Sequence, residues 1–210
     1  IALKSKNVKD GAVLIFENHT GNVLAYVGNS GKFSTSPEVD AVFSKRQAGS
    51  TLKPFLYALA FEKKIITSDS TLEDSPLDVP VYSGIYRPSN YEKEYHGFVK
   101  ASIALASSLN VPAVRVLNLV GVDSFFNMLS DLNFSDLKSP SYYGPSLALG
   151  SLDVSLWDLS SAYGIIANGG VRIPLRLTNG SKPEIPVRIF SEKTANEIAE
   201  NITSMVPSRS

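Results

Sequence analysis

The chain has 210 residues, with 20 basic and 20 acidic side chains, two histidines and no cysteine. Balanced charge offers no field to collect nucleic acid, and a chain without thiols has no disulfide, thiolate nucleophile or cysteine-ligated zinc. A hydrophobic content of 43% suits a globular protein with one sizeable core, read as a single domain over 1–210, and no run reaches the length of a membrane span.

Residues 12–16 and 23–27 are apolar runs on either side of Asn18-His19-Thr20-Gly21 and are predicted to pair as a hairpin. Residues 28–42 read as loop. A helix is predicted over 50–63. Leu52, Phe55, Leu56, Leu59 and Ala60 form an i, i+3, i+4 stripe, and Tyr57, Ala58 and Phe61 carry it around the remaining sides, so this helix should be buried. Pro54 would remove a backbone donor inside it, the kind of local rule-breaking that gathers at functional sites.

Residues 66–97 are dense in Pro, Ser, Asp and Tyr and read as a long functional loop, which Tyr82, Tyr86, Tyr91 and Tyr95 set apart from a disordered one. Helices follow over 99–107 and 112–120, the second with Pro112 as its first residue and Gly121 as its stop. Asp123 is expected to cap another, carrying Phe125, Phe126, Leu129 and Leu132. Ser155 and Asp158 resemble a capping box for a helix that Asn168-Gly169-Gly170 ends. Trp157 and Tyr163 read as core. An amphipathic helix over 192–205 closes the chain, giving an α+β pattern of one hairpin followed by helices.

The chemistry concentrates at Gly49-Ser50-Thr51-Leu52-Lys53. In a helix, Ser50 and Lys53 share one face about a turn apart. A hydroxyl is a weak nucleophile at neutral pH and needs an adjacent base, which the lysine amine can supply. The helix N-terminus adds free N–H groups for an oxyanion. Ser108 and Asn110 fall in the joint between two helices, because Val111 precedes Pro112 and is biased toward extended backbone. In an extended joint they point the same way, a hydroxyl to relay a proton and an amide to hold a carbonyl or position the lysine. As plain structure the same pair would cap a helix.

Gly11-Ala12-Val13, Arg46-Gln47, Gly49-Ser50-Thr51-Leu52-Lys53-Pro54-Phe55, Tyr86-Arg87-Pro88-Ser89-Asn90-Tyr91, Ser108-Leu109-Asn110-Val111-Pro112-Ala113-Val114, Ala148-Leu149-Gly150 and Ala167-Asn168-Gly169-Gly170 occur in this order. Together they resemble the transpeptidase domain of class A penicillin-binding proteins, closest to the 1C type, over nearly the whole chain. The resemblance implies the α+β fold shared with serine β-lactamases, here as an N-terminal hairpin plus helical subdomain. It implies a D,D-transpeptidase that cross-links peptidoglycan stem peptides. Ser50 would attack the penultimate D-Ala carbonyl, expel the terminal D-Ala and pass the acyl group to an amine on a neighbouring stem.

By the same resemblance Lys53 would be the base, Ser108 the proton shuttle and Asn110 the holder of the substrate amide. The Ser50 N–H would be one oxyanion donor, and Tyr86 and Asn90 would bind substrate in the cleft wall. β-Lactams would acylate the same serine. No cofactor is implied. The expected setting is the periplasm or outer face of the bacterial cytoplasmic membrane, in a membrane-anchored parent protein.

The family's Lys-Thr/Ser-Gly strand has no counterpart. Lys193-Thr194 is followed by Ala195 in a helical pattern and reads as surface helix. The chain, which begins at Ile1, therefore reads as a piece whose C-terminal strands are missing. It should act only with a complementing C-terminal segment. Glu197 and Asn201 match the spacing of a deacylating pair in β-lactamases but read as an unremarkable surface pair, so slow deacylation is expected. A D,D-carboxypeptidase or β-lactamase-like hydrolase shares most of the pattern. A β-lactam-binding sensor or scaffold is the alternative outside enzymology.

Overall fold

The structure is a computed structural model that describes residues 8, 10–82, 84–177 and 185–203. The predicted hairpin forms as β1 (Val13–Phe16) and β2 (Val23–Val27), paired antiparallel with Val13 opposite Val27. It turns at Gly21, which has φ +72°; a Cβ there would lie 2.1 Å from the Pro174 carbonyl oxygen. Phe16 packs against Gly164, while Val13, Ile15, Leu24 and Val27 remain exposed.

A short strand β3 (Arg46–Gln47) leads through a 3-10 turn at Gly49–Leu52 into α1 (Lys53–Glu62). This helix is the axis of the core, as its all-round apolarity demands: Lys53 through Ala58, Ala60 and Phe61 are all buried. Because the α-helix proper starts at Lys53, Pro54 occupies its first turn, where an N–H would have no intrahelical acceptor. Its presence is ordinary helix chemistry, and the expected rule-breaking disappears.

The stretch expected to be loop instead carries three strands, β4 (Thr71–Asp74), β5 (Val79–Val81) and β6 (Gly84–Tyr86), and a fourth, β7 (Gly97–Lys100), starts at its end. β4 pairs with β7, and β5 with β6, both antiparallel. Lys100 ends β7, so the next helix is α2 (Ala101–Ala106), shorter than predicted. After it come α3 (Asn110–Val120), α4 (Val122–Asp131) and α5 (Pro140–Tyr143). Gly121, not Asp123, is the N-cap of α4, and Asp123 sits in its first turn.

A 3-10 segment at Gly144–Leu149 precedes β8 (Asp153–Val154), which pairs with β3. In α6 (Leu156–Ala167) the Ser155 hydroxyl accepts the Asp158 N–H at 3.0 Å, the expected N-cap. β9 (Val171–Arg172) and β10 (Val187–Arg188) form one more antiparallel pair, and α7 (Glu192–Thr203) follows. The last two residues of the predicted final helix, 204 and 205, lie outside the described residues.

Buried side chains of α1, α3, α4, α6 and α7, with Leu147 and Ala148, make one core. Trp157 is only half-buried, stacked on Phe43 with ring centroids 5.3 Å apart, and Tyr163 is half-buried too. Two further expectations are corrected at α7. Thr194 is buried, its hydroxyl bonded to Glu62, so only Lys193 of that dipeptide faces solvent. Asn201 is buried and bonds Ser68 Oγ at 3.0 Å, while Glu197 accepts from the Ser68 N–H and hydroxyl. The pair anchors α7 to the loop before β4.

Candidate active site

The segment entering Ser50 is clamped by chain far away in sequence. Arg46 pairs with Val154 and Gln47 with Asp153, the Ala48 N–H donates to Leu152 O at 2.8 Å, and the Gly49 N–H to Gly150 O at 3.0 Å. Gly49 has φ +57° and Gly150 φ +74°, and the two backbones touch: a Cβ on Gly150 would stand 1.9 Å from the Gly49 oxygen. Gly150→Ala is therefore expected to cost at least about 2 kcal/mol in denaturant unfolding, from overpacking against rigid backbone and a left-handed conformation.

Held this way, Ser50 is exposed at the N-terminal turn preceding α1. The Gly49 N–H of this turn is taken by Gly150 O, while the Ser50 N–H falls where a helix start lacks intrahelical acceptors and suits an oxyanion. The Tyr163 hydroxyl donates to the Thr51 carbonyl at 2.9 Å, tying α6 to the same turn. Nothing in the sequence around Tyr163 signals that role.

Lys53, one turn on, is 1% exposed. Its Nζ donates to Asn110 Oδ1 at 2.7 Å, to Ser108 Oγ at 3.1 Å and to the Ser108 backbone carbonyl. All three acceptors are neutral oxygens that replace the lost hydration only in part, and burial pulls the ammonium pKa from 10.5 down to about 8. A lysine so tuned is roughly one-tenth free base at pH 7, enough to serve as a general base.

Ser108 and Asn110 do meet at Lys53, but by a different geometry from the expected extended joint. The Ser108 N–H bonds Leu105 O and the Leu109 N–H bonds Ala104 O, each at 2.9 Å. With Ser108 at φ +55°, these two bonds make a Schellman C-cap on α2, with Ser108 at the left-handed position that glycine usually holds. Leu109 is extended, and α3 begins at Asn110, two residues before Pro112. Pro112 still falls within the first turn, where its missing donor costs nothing. The Asn110 amide spans the site, accepting from Lys53 and donating to Ser89 O at 2.8 Å.

The two remaining candidates lie farther out. Tyr86 packs half-buried against the core from β6, with its phenol pKa raised by burial. Asn90 is buried, and all its polar capacity is used within the chain. Its Nδ2 donates to both oxygens of Asp74 and to Glu94 O, and its Oδ1 accepts the N–H groups of Asn110 and Val111. That leaves its side-chain amide no free polar atom for a substrate.

Over residues 11–210 the sequence matches the family model for the penicillin binding protein transpeptidase domain. Penicillin-binding protein 1C of Escherichia coli K12 is 36% identical over 170 residues, covering 79% of this chain and 21% of that protein. Penicillin-binding protein 1A of Rickettsia felis is 32% identical over 174 residues, 82% of this chain and 21% of that protein. The chain thus spans about a fifth of the length of these curated relatives.

Among solved structures, the transpeptidase domain of Burkholderia pseudomallei penicillin-binding protein 3 shares the fold, with TM-score 0.81 at 22% identity, covering 98% of this chain and 65% of that one. Penicillin-binding protein 1A from Haemophilus influenzae shares it too, with TM-score 0.81 at 24% identity over 95% of this chain and 36% of that one. From the family match across nearly its whole length, this chain belongs to the penicillin-binding protein transpeptidase domain family.

Proposed function

We propose that this chain carries the acyl-transfer site of a serine D,D-transpeptidase that cross-links peptidoglycan stem peptides and is acylated by β-lactams. The observation that carries the reading is Lys53: a buried amine with a pKa near 8, held by Ser108 and Asn110 one turn from an exposed serine hydroxyl. In its free-base form Lys53 takes the Ser50 hydroxyl proton as Oγ attacks the penultimate D-Ala carbonyl. The Ser50 N–H supplies one donor to the developing oxyanion. The proton then travels from Lys53 through the Ser108 hydroxyl to the departing D-Ala amine. An amine of a second stem reverses these steps and takes the acyl group.

Tyr86 forms a wall of the stem-peptide cleft in this reading. Glu197 is engaged by Ser68 and Asn201 is buried beside it, which supports slow hydrolysis of the acyl-enzyme and an amine as the natural acceptor. The exposed apolar side chains of the β1–β2 hairpin support a complementing segment of the same protein seated on that sheet, bringing the Lys-Thr/Ser-Gly strand. The site would work outside the bacterial cytoplasmic membrane, in a membrane-anchored parent. Among the described residues no helix is long and apolar enough to cross a membrane.

Labelling the intact protein with a fluorescent penicillin, followed by peptide mass mapping, tests the reading. A single stable adduct on the peptide containing Ser50 is expected, together with cross-linked dimers when stem pentapeptide and an acceptor stem are supplied. An adduct elsewhere, or none on folded protein, overturns the mechanism. D-Ala release without dimers would make the protein a carboxypeptidase, and acylation without any stem-peptide turnover would make it a sensor.

A further inference from the structure

Asp74, the last residue of β4, is fully buried yet lies outside the cluster of Ser50, Lys53, Ser108 and Asn110. Its oxygens meet Asn90 Nδ2 at 2.8 and 2.9 Å, and the His96 backbone N–H and ring Nδ1 each at 2.9 Å. Each of these groups is a donor or can be one, so Asp74 serves as an acceptor only. On the far side of Asn90, its Oδ1 accepts the N–H groups of Asn110 at 2.9 Å and Val111 at 3.2 Å. These are the first donors of α3, and Pro112 has none to offer.

A carboxamide has one donating and one accepting end, and turning it over changes its shape little. Here the acceptors Asp74 and Glu94 O stand on one side of Asn90 and the donors of a helix terminus on the other, so a single orientation satisfies every partner. That orientation lets Asn90 cap the first turn of α3 from a distant loop, where the N-cap residue Leu109 offers no side-chain acceptor. The same first turn presents Asn110 Oδ1 to Lys53.

We propose that Asp74 is a positioning residue for the acyl-transfer site, acting through Asn90 to hold α3, and with it Asn110, against Lys53. The proposal rests on the acyl-transferase reading above. In Asp74→Asn the new amide sets a donor against Asn90 Nδ2 or the His96 N–H. Asn90, still held in its orientation by Glu94 O and the two N–H groups, is displaced from residue 74, and the first turn of α3 shifts with it away from Lys53.

The test is the rate of acylation of the intact protein by a fluorescent penicillin, measured for a double-mutant cycle. Asp74→Asn is expected to slow acylation about tenfold or more, the range of a misplaced catalytic group. The same change made in Asn110→Ala should cost little more, because the side chain it misplaces is gone. The swapped pair, Asp74→Asn with Asn90→Asp, restores an acceptor facing a donor and should react faster than Asn90→Asp alone; it carries the test if Asp74→Asn fails to fold. A wild-type rate in Asp74→Asn, an equal loss in both backgrounds, or no gain from the swap would overturn the proposal. Wild-type labelling at Ser50 in the same series separates that result from a failure of the acyl-transferase reading.

Discussion

Replacing Lys53 with methionine is expected to slow acylation of Ser50 by a β-lactam about a thousandfold, within the range for loss of a positioned general base. Methionine matches the length and apolarity of the lysine stem, so the buried channel beside Ser108 and Asn110 stays filled. Two opposing terms set the stability change. Asn110 Oδ1 and the Ser108 carbonyl lose a donor, at about 1–3 kcal/mol for an unsatisfied buried acceptor. Against that, a buried ammonium with no anionic partner among the described residues is removed, which is itself favourable. The variant should therefore fold and fail to react, a combination that circular dichroism and stopped-flow labelling would read together.

The pH dependence of the wild type follows from the same residue. Burial lowers its pKa from 10.5 to about 8, so the free base accumulates as pH rises through 8. Acylation should climb between pH 7 and 9 with an inflection near 8. The linked stability has the same sign. Below about pH 8 the folded and unfolded states both carry the proton, and the folded state bears the whole cost of the buried charge. Between about 8 and 10.5 the unfolded state binds more protons, so the Lys53 contribution to stability rises with pH. A flat rate profile from pH 7 to 9, or a Lys53→Met protein reacting within tenfold of wild type, would remove lysine from the mechanism.

Ser108→Gly should part stability from activity in the opposite way. Ser108 occupies φ +55° in the Schellman cap of α2, a conformation that costs a non-glycine residue about 1 kcal/mol. Glycine adopts it freely and keeps both backbone bonds of the cap. The variant is expected to gain up to about 1 kcal/mol, read from the denaturant midpoint. It also loses the hydroxyl 3.1 Å from Lys53 Nζ, and acylation should fall about a hundredfold, the low end for a proton-transfer group. A serine at a position that favours glycine is local strain held in place by the surrounding fold. Ser108→Gly with unchanged acylation kinetics would reduce Ser108 to a helix cap.

The sequence announced the elements whose signals are local. The hairpin reads from two apolar runs around a glycine turn, α1 from an unbroken apolar surface, and α6 from Ser155 and its terminal glycines. Ser50, Lys53, Ser108 and Asn110 were each legible as chemistry-bearing residues. The 66–97 stretch was not legible as strands. Thr71–Asp74 is a polar, four-residue segment whose partner, Gly97–Lys100, lies more than twenty residues away, so no periodicity marks either strand. Asn90 was misread for a related reason: its four partners come from β4, its own loop and α3, and only their convergence shows that it is used up internally.

What the sequence indicated by itself was the family, through motif blocks in a fixed order, and Ser50 and Lys53 as the proposed nucleophile and base, because a Ser-x-x-Lys pair at a helix start shares one face within a turn. The tertiary structure decided how that base is tuned and what holds it. Lys53 is shifted because the junction between α2 and α3 brings three neutral oxygen acceptors to it from more than fifty residues away and buries it from water. Asn110 faces it because a buried carboxylate in β4 fixes the polarity of the amide capping α3. Desolvation and amide orientation arise from contacts between segments distant in the chain, and they take definite values only when the core closes around α1.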